Sequence, residues 1–230
     1  MTPERFDIYD DQQHWIGTAP RSEVHAKGYW HRSFHCWIVR DEGKQRRVLF
    51  QRRRDMKDTF PGCYDITAAG HLTAGEQLQD ANRELEEELG VHVPFDALTY
   101  LLTATQQLQG EVRGIPFVDR EFSAVYGVCL NQPLEAYVLQ PSEVDSLYEV
   151  ALDDLLAMFR GEIDVIQATG VQTQPLISPP HSIGHEGPLS DQAAYEPERI
   201  VREIRATEFV PHGTAYYTDV LEALYHVPKE

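Results

Sequence analysis

Residues 70–91 constrain this chain more than any other stretch. They open with Gly70-His71-Leu72-Thr73-Ala74-Gly75-Glu76 and close with Arg83-Glu84-Leu85-Glu86-Glu87-Glu88-Leu89-Gly90-Val91. The two glycines permit a tight, irregular loop whose backbone can approach a ligand. The pattern that follows predicts a helix over 76–89. Leu78, Ala81, Leu85 and Leu89 fall on one side, and Gly90 is the stop. Spacings of three and four then bring Glu84, Glu87 and Glu88 onto one arc, while Glu86 points elsewhere. Crowded carboxylates repel one another, which raises their pKa values. A hard cation such as Mg²⁺ or Mn²⁺, which takes oxygen ligands, resolves the conflict. The competing explanation is a solvated acidic helix face. The glycine-bearing entry favours the cation.

The rest of the chain supplies a sheet. Residues 35–39 and 47–50 are short apolar runs around the polar Asp41-Glu42-Gly43-Lys44, a strand-turn-strand signal. Residues 98–107 and 122–130 predict further strands, and 147–151 a weaker one followed by a helix over 152–159. Residues 1–27 form a lead-in with a possible first hairpin. Residues 163–197 hold Pro175, Pro179, Pro180 and Pro188 and read as a long loop. Residues 198–227 return to helical patterning, with Thr214 as an N-cap and Tyr217, Val220, Leu221 and Leu224 as an apolar stripe. The expected organisation is a domain over 1–160, a loop or insertion over 161–197, and a C-terminal helical segment over 198–230 packing on that domain. Strands mixed with helices predict an α/β or α+β sandwich.

Charge narrows the partners. The formal net charge of −17 repels a nucleic-acid backbone. No apolar run is long enough to span a bilayer, and the opening residues MTPERFDIYDD lack the apolar core of a secretion signal. The expectation is a cytoplasmic protein acting on a small molecule. Cys36, Cys63 and Cys129 form no CxxC pair and read as reduced thiols. The tyrosines Tyr216, Tyr217 and Tyr225 on the last helix leave its partner open between its own domain and a homodimer.

Residues 70–91 resemble the Nudix box: Gly, five residues, Glu, seven residues, then Arg-Glu-aliphatic-x-Glu-Glu-x-Gly-aliphatic. Gly70, Glu76, Arg83, Glu84, Leu85, Glu87, Glu88, Gly90 and Val91 supply the fixed positions. The second gap, 77–82, holds six residues where the family has seven. The resemblance implies a Nudix α/β/α sandwich, a mixed sheet between helices, with a C-terminal helical extension. It also implies that Glu84, Glu87 and Glu88 hold Mg²⁺ or Mn²⁺, that Arg83 orients a neighbouring carboxylate, and that Gly70, Gly75 and Glu76 shape the loop.

A wider pattern is similar to type 1 isopentenyl-diphosphate isomerases, which share that fold, and to isomerase-like Nudix hydrolases. This likeness covers roughly residues 5–157. It implies a second metal site of His25, His31, His71, Asp119 and Glu121, with the gap between the first two His one residue shorter here. Three imidazoles with two carboxylates suit Mn²⁺ or Zn²⁺ better than Mg²⁺. Asp119 and Glu121 are two apart, so a strand puts them on one side. Arg53 and Lys57 match positions that grip a diphosphate; a solvated strand end is the alternative. The isomerases carry a catalytic Cys immediately before Gly-His, where this chain has Ala69.

These implications add up to a metal-dependent hydrolase cleaving a diphosphate linkage in a nucleoside diphosphate derivative or related organic diphosphate. The general base is open among Glu87, Glu88, Glu121 and Glu143. The rivals are an isomerase using a different acid and a catalytically silent nucleotide-binding module.

Overall fold

The computed structural model describes residues 3–57, 59–172 and 198–230. The chain opens with the hairpin β1 (Arg5–Tyr9) and β2 (Trp15–Pro20), then the short helix α1 (Arg21–Lys27). The long strands β3 (Trp30–Glu42) and β4 (Gln45–Arg53) follow, with the short β5 (Tyr64–Asp65) and β6 (Ala68–His71). Helix α2 spans Arg83–Leu89. Strands β7 (Thr99–Val112), β8 (Ile115–Cys129) and β9 (Val144–Ala151) lead to helix α3 (Leu152–Phe159). Strands β10 (Ile166–Gln172) and β11 (Glu198–Ile204) and helix α4 (Thr214–Leu224) complete the fold.

Among the described residues eleven strands form one sheet with the path β11-β10-β9-β4-β3-β1-β2, to which β5, β6, β7 and β8 attach. β3 and β8 run parallel from Trp30↔Arg120 to Val39↔Cys129, while the other pairs are antiparallel. The sheet is therefore mixed.

Side-chain alternation along β3 divides the core in two. Trp37 and Val39 pack with Leu155, Tyr217 and Leu221 of α3 and α4. Phe34, Cys36 and Ile38 pack with Leu85 and Leu89 of α2 on the opposite face. Helices cover both faces, as in an α/β/α sandwich. Phe159 and Tyr217 stack at 3.9 Å and join α3 to α4.

The structure corrects the sequence expectations in four places. Residues 76–89 are not one helix. A 3₁₀ turn, Leu78–Asp80, closes its own capping box between Gln77 and Asp80, and α2 begins only at Arg83. Within the expected loop over 161–197, residues Ile166–Gln172 are a strand that buries Ile166, Ala168 and Val171; residues 173–197 lie outside the described part. The helical expectation for 198–204 fails too, because Glu198–Ile204 pairs with β10 along its whole length. Core contacts thus run across the 160/161 boundary. Finally, Gly213 and not Thr214 occupies the N-cap of α4.

Cys36, Cys63 and Cys129 are free thiols, the first and last buried. Among the described residues no helix is long and apolar enough to cross a membrane.

Candidate active site

The loop from β6 to α2 and the short helix itself build the first centre. Gly70 on β6 faces Glu84, and a Cβ at residue 70 would meet the Glu84 carboxyl carbon at 2.1 Å. A side chain there would displace the carboxylate. Gly75, with φ +84°, lies in the left-handed region that favours glycine. Its N–H donates to Asp7 Oδ2. Glu76 accepts from the backbone N–H and hydroxyl of Thr73 and from Arg83 Nε at 2.7 Å. Arg83 then reaches onward. Its Nη1 lies 2.8 Å from both Glu84 Oε1 and Glu87 Oε2.

The three carboxylates are not equivalent. Glu88 is buried and accepts from Gln51 Nε2 at 3.0 Å. Burial, with the neighbouring Glu84 charge, pushes its pKa up to about 8. Burial raises Glu84 to about 7, with Glu87 and Glu76 adding to the effect against Arg83. Glu87 stands at the rim with its side chain 52% exposed. Along the helix Glu88 is buried, Glu84 partly buried and Glu87 exposed, with Arg83 bridging Glu84 and Glu87.

Glu84, Glu87 and Glu88 line a cavity of about 440 Å³ together with Arg21, Arg53 and Lys57. Arg53 is partly committed. It donates to Asp65 Oδ2 at 2.9 Å and to the Thr59 carbonyl. Lys57 Nζ donates to Glu143.

Strand registry builds the second centre. His31 pairs with Glu121 across β3 and β8, and Ser33 pairs with His71 across β3 and β6. Alternation then aims His31, Ser33, His71, Asp119 and Glu121 at one face. α1 adds His25. Ligand atoms of His25, His31, His71 and Asp119 all lie within 4.8 Å of one another. Glu121 Oε1 is 2.9 Å from His71 Nε2 and 3.8 Å from His31 Nε2.

The donor chemistry of this cluster fits a cation. His25 Nε2, His31 Nε2 and Asp119 Oδ1 are buried without a hydrogen-bond partner. The two nitrogens approach Asp119 Oδ1 at 3.8 and 3.3 Å. Leaving such atoms unpaired is costly. Burial holds His25 down at about 4 and lowers His31 and His71 as well, so all three are neutral, the form that ligates metal. His31 Nδ1–H donates to the Tyr29 carbonyl at 3.0 Å, which leaves Nε2 as the lone-pair nitrogen. Against the cost of burial, donors from His35 and His71 keep Glu121 well below the usual carboxylate range, while burial and the Glu121 charge push Asp119 well above it.

A smaller cavity of about 60 Å³ adjoins the second centre, and its lining includes Ala69, Gly70, His71, Glu121 and His212. His212 reaches Asp65 Oδ1 at 3.1 Å. Against burial, that bond and Arg53 hold Asp65 at about 2.

The structure thus brings together the residues singled out on 70–91 and, separately, the His25, His31, His71, Asp119 and Glu121 set. Sequence reasoning missed Arg21, Gln51, Ser33, His35, Asp65 and His212. The period-two run His31, Ser33, His35 was a usable signal for two of them. For Arg21, Gln51 and His212 no local pattern pointed to the site.

The fold is that of an α/β protein whose loop–helix unit packs on one face of a mixed sheet. The sequence signature of the NUDIX domain matches residues 29–168, and the chain belongs to the Nudix family, among its hydrolases of pyrophosphate bonds. It is 36% identical to an uncharacterized Nudix hydrolase of Clostridium acetobutylicum over 97% of this chain and 98% of that one. It is 39% identical to Nudix hydrolase 3 of Arabidopsis thaliana over 67% of this chain but only 20% of that longer protein. It is also 44% identical to an isopentenyl-diphosphate Delta-isomerase of Mycolicibacterium vanbaalenii over 40% of this chain and 50% of that one.

Proposed function

We propose that this chain is a divalent-cation-dependent hydrolase that cleaves a diphosphate linkage in a nucleoside diphosphate derivative or related organic diphosphate. Glu84, Glu87 and Glu88 would hold Mg²⁺ or Mn²⁺; His25, His31, His71, Asp119 and Glu121 would hold a second cation, Mn²⁺ or Zn²⁺ by their nitrogen-rich chemistry. The proposal includes a cytoplasmic location and a small-molecule substrate.

One observation carries it. Two carboxyl groups, the buried Glu88 and the partly buried Glu84, share the wall of a 440 Å³ cavity with Arg21, Arg53 and Lys57. Each carboxylate is costly there when charged, as the upward shifts to about 7 and about 8 express. A divalent cation offsets that cost, and the cationic side chains suit a diphosphate.

When bound, the cation supplies Lewis acidity and a water of lowered pKa. The chain's own residues do the rest. Arg21 and Lys57 contribute positive charge at the cavity wall, which suits the charged non-bridging oxygens of a diphosphate. Arg53, anchored on Asp65 and Thr59, offers a fixed guanidinium and not a swinging one. Arg83 orients Glu76, Glu84 and Glu87. Glu87, Glu88, Glu121 and Glu143 are the candidate proton acceptors. Ala69 carries no proton to transfer, which argues against isomerisation.

The test is a screen of nucleotide sugars, dinucleotides, nucleoside triphosphates and coenzyme diphosphates with Mg²⁺ and Mn²⁺, scored by phosphate products. The expected result is turnover of at least one class that chelator abolishes. Tight nucleotide binding with no turnover at any cation concentration would identify a silent binding module instead.

A further inference from the structure

A buried hydrogen-bond chain runs from the C-terminal helix to His35, beside the second centre. Trp37 Nε1 donates to the Tyr216 hydroxyl oxygen at 3.3 Å, and that hydroxyl lies 2.9 Å from His35 Nδ1. All three residues are buried. An indole N–H only donates, so the Tyr216 oxygen accepts from Trp37 and its own proton needs another acceptor. Among the described residues, His35 Nδ1 is the acceptor within reach. The ring proton of His35 therefore sits on Nε2.

That N–H faces Glu121 Oε2 at 3.7 Å. The Ser33 hydroxyl donates to the same oxygen at 2.8 Å, and Ser123 at 3.3 Å. The other oxygen, Oε1, faces His71 and His31. One oxygen of Glu121 is turned to donors on the sheet and the other to the histidine cluster.

We infer that Tyr216 and His35 are positioning residues, which hold Glu121 through Oε2 so that Oε1 is presented to a cation bound by His25, His31, His71 and Asp119. The inference rests on the second cation of the proposed function. With the opposite tautomer, a ring lone pair would face a carboxylate in a buried site, where repulsion is weakly screened. Tyr216 lies on α4, outside the matched residues 29–168. The C-terminal segment thus completes the site as well as the core.

The test compares wild type, Tyr216→Phe and Trp37→Phe by two measurements. Long-range ¹H–¹⁵N NMR of the cation-free protein reads the His35 tautomer. Titration reads the Mn²⁺ affinity of the histidine centre, identified as the site lost in His31→Gln. The expected wild-type tautomer is Nε2–H. Tyr216→Phe moves the proton to Nδ1 in a measurable fraction and weakens Mn²⁺ binding about tenfold or more. Trp37→Phe, which frees the Tyr216 oxygen to accept from His35 Nδ1, shifts both in the same direction to a smaller extent; if that variant does not fold, wild type and Tyr216→Phe decide alone. An Nδ1–H tautomer in the wild type overturns the inference, as does Tyr216→Phe with unchanged affinity. A wild type that binds no Mn²⁺ at the histidine centre overturns the second cation and the positioning role with it. An Nε2 proton in that same protein then assigns the failure to the cation and not to the hydrogen-bond chain.

Discussion

Glu84 lies so close to the backbone of Gly70 that a Cβ at residue 70 would come within 2.1 Å of its carboxyl carbon and Oε1. The glycine of β6 and the first glutamate of α2 are thus one steric unit. Gly70→Ala should push Glu84 off its position. A shift of about 1 Å in a reacting constellation costs about 100-fold in rate, whereas overpacking one methyl costs about 1–3 kcal/mol of stability. The expected variant is folded, with a modestly lowered melting temperature and a kcat down about 100-fold. Wild-type kcat in a folded Gly70→Ala protein would separate Glu84 from the chemistry.

Glu88 ties stability to pH. Its folded pKa of about 8 lies above the ordinary 4.5. A carboxyl raised on folding contributes stability that is full below its unfolded pKa and is lost as pH rises through the folded value. In chelator, the wild type should therefore lose melting temperature relative to Glu88→Gln between about pH 5 and pH 9, by on the order of 5 °C. Mg²⁺ or Mn²⁺ should restore the wild type and leave Glu88→Gln unchanged. Parallel pH profiles for the two proteins would show that Glu88 is not buried as a carboxylic acid.

Glu88→Gln should also cost activity. The cation's share of transition-state stabilisation is worth several kcal/mol, so about 100-fold or more in kcat should go with it. Near-normal turnover by a folded Glu88→Gln protein would remove this residue from the cation site.

Buried, unpartnered nitrogens support the second cation site of the proposed function. His31→Gln should abolish one Mn²⁺ or Zn²⁺ binding event in calorimetry and leave the one at Glu84 and Glu88 intact. Two binding events in both proteins would assign the second cation elsewhere.

The likeness to isomerases makes a chemical prediction of its own. Ala69 stands where the isomerases carry a cysteine, and it lines both cavities. Incubation with isopentenyl diphosphate and either cation should give no dimethylallyl diphosphate. Its appearance would require another proton donor in the site.

Legibility in the sequence followed the range of the interactions. Glu84, Glu87 and Glu88 were readable because helical spacing is local, and Asp119 with Glu121 because strand alternation is. That Glu87 would stand half exposed beside Arg83 was not readable, since it depends on how α2 sits on the sheet. The stretch Glu198–Ile204 misled for a definable reason. Ile200, Val201 and Ile204 fit a helix face as well as a strand, and only the partner β10 decides between them. Gln51 reaches Glu88 across 37 residues, and His212 reaches Asp65 across 147. Contacts that distant leave no mark in spacing.

The most direct measurement is an anomalous difference map from a crystal grown with Mn²⁺. The expected result is a peak against the Glu84 and Glu88 carboxylates, with Arg83 drawn back from Glu84. A map empty at that position, with Glu84 still held on Arg83 and Glu88 still on Gln51, would contradict the cation site on which the proposed hydrolysis depends.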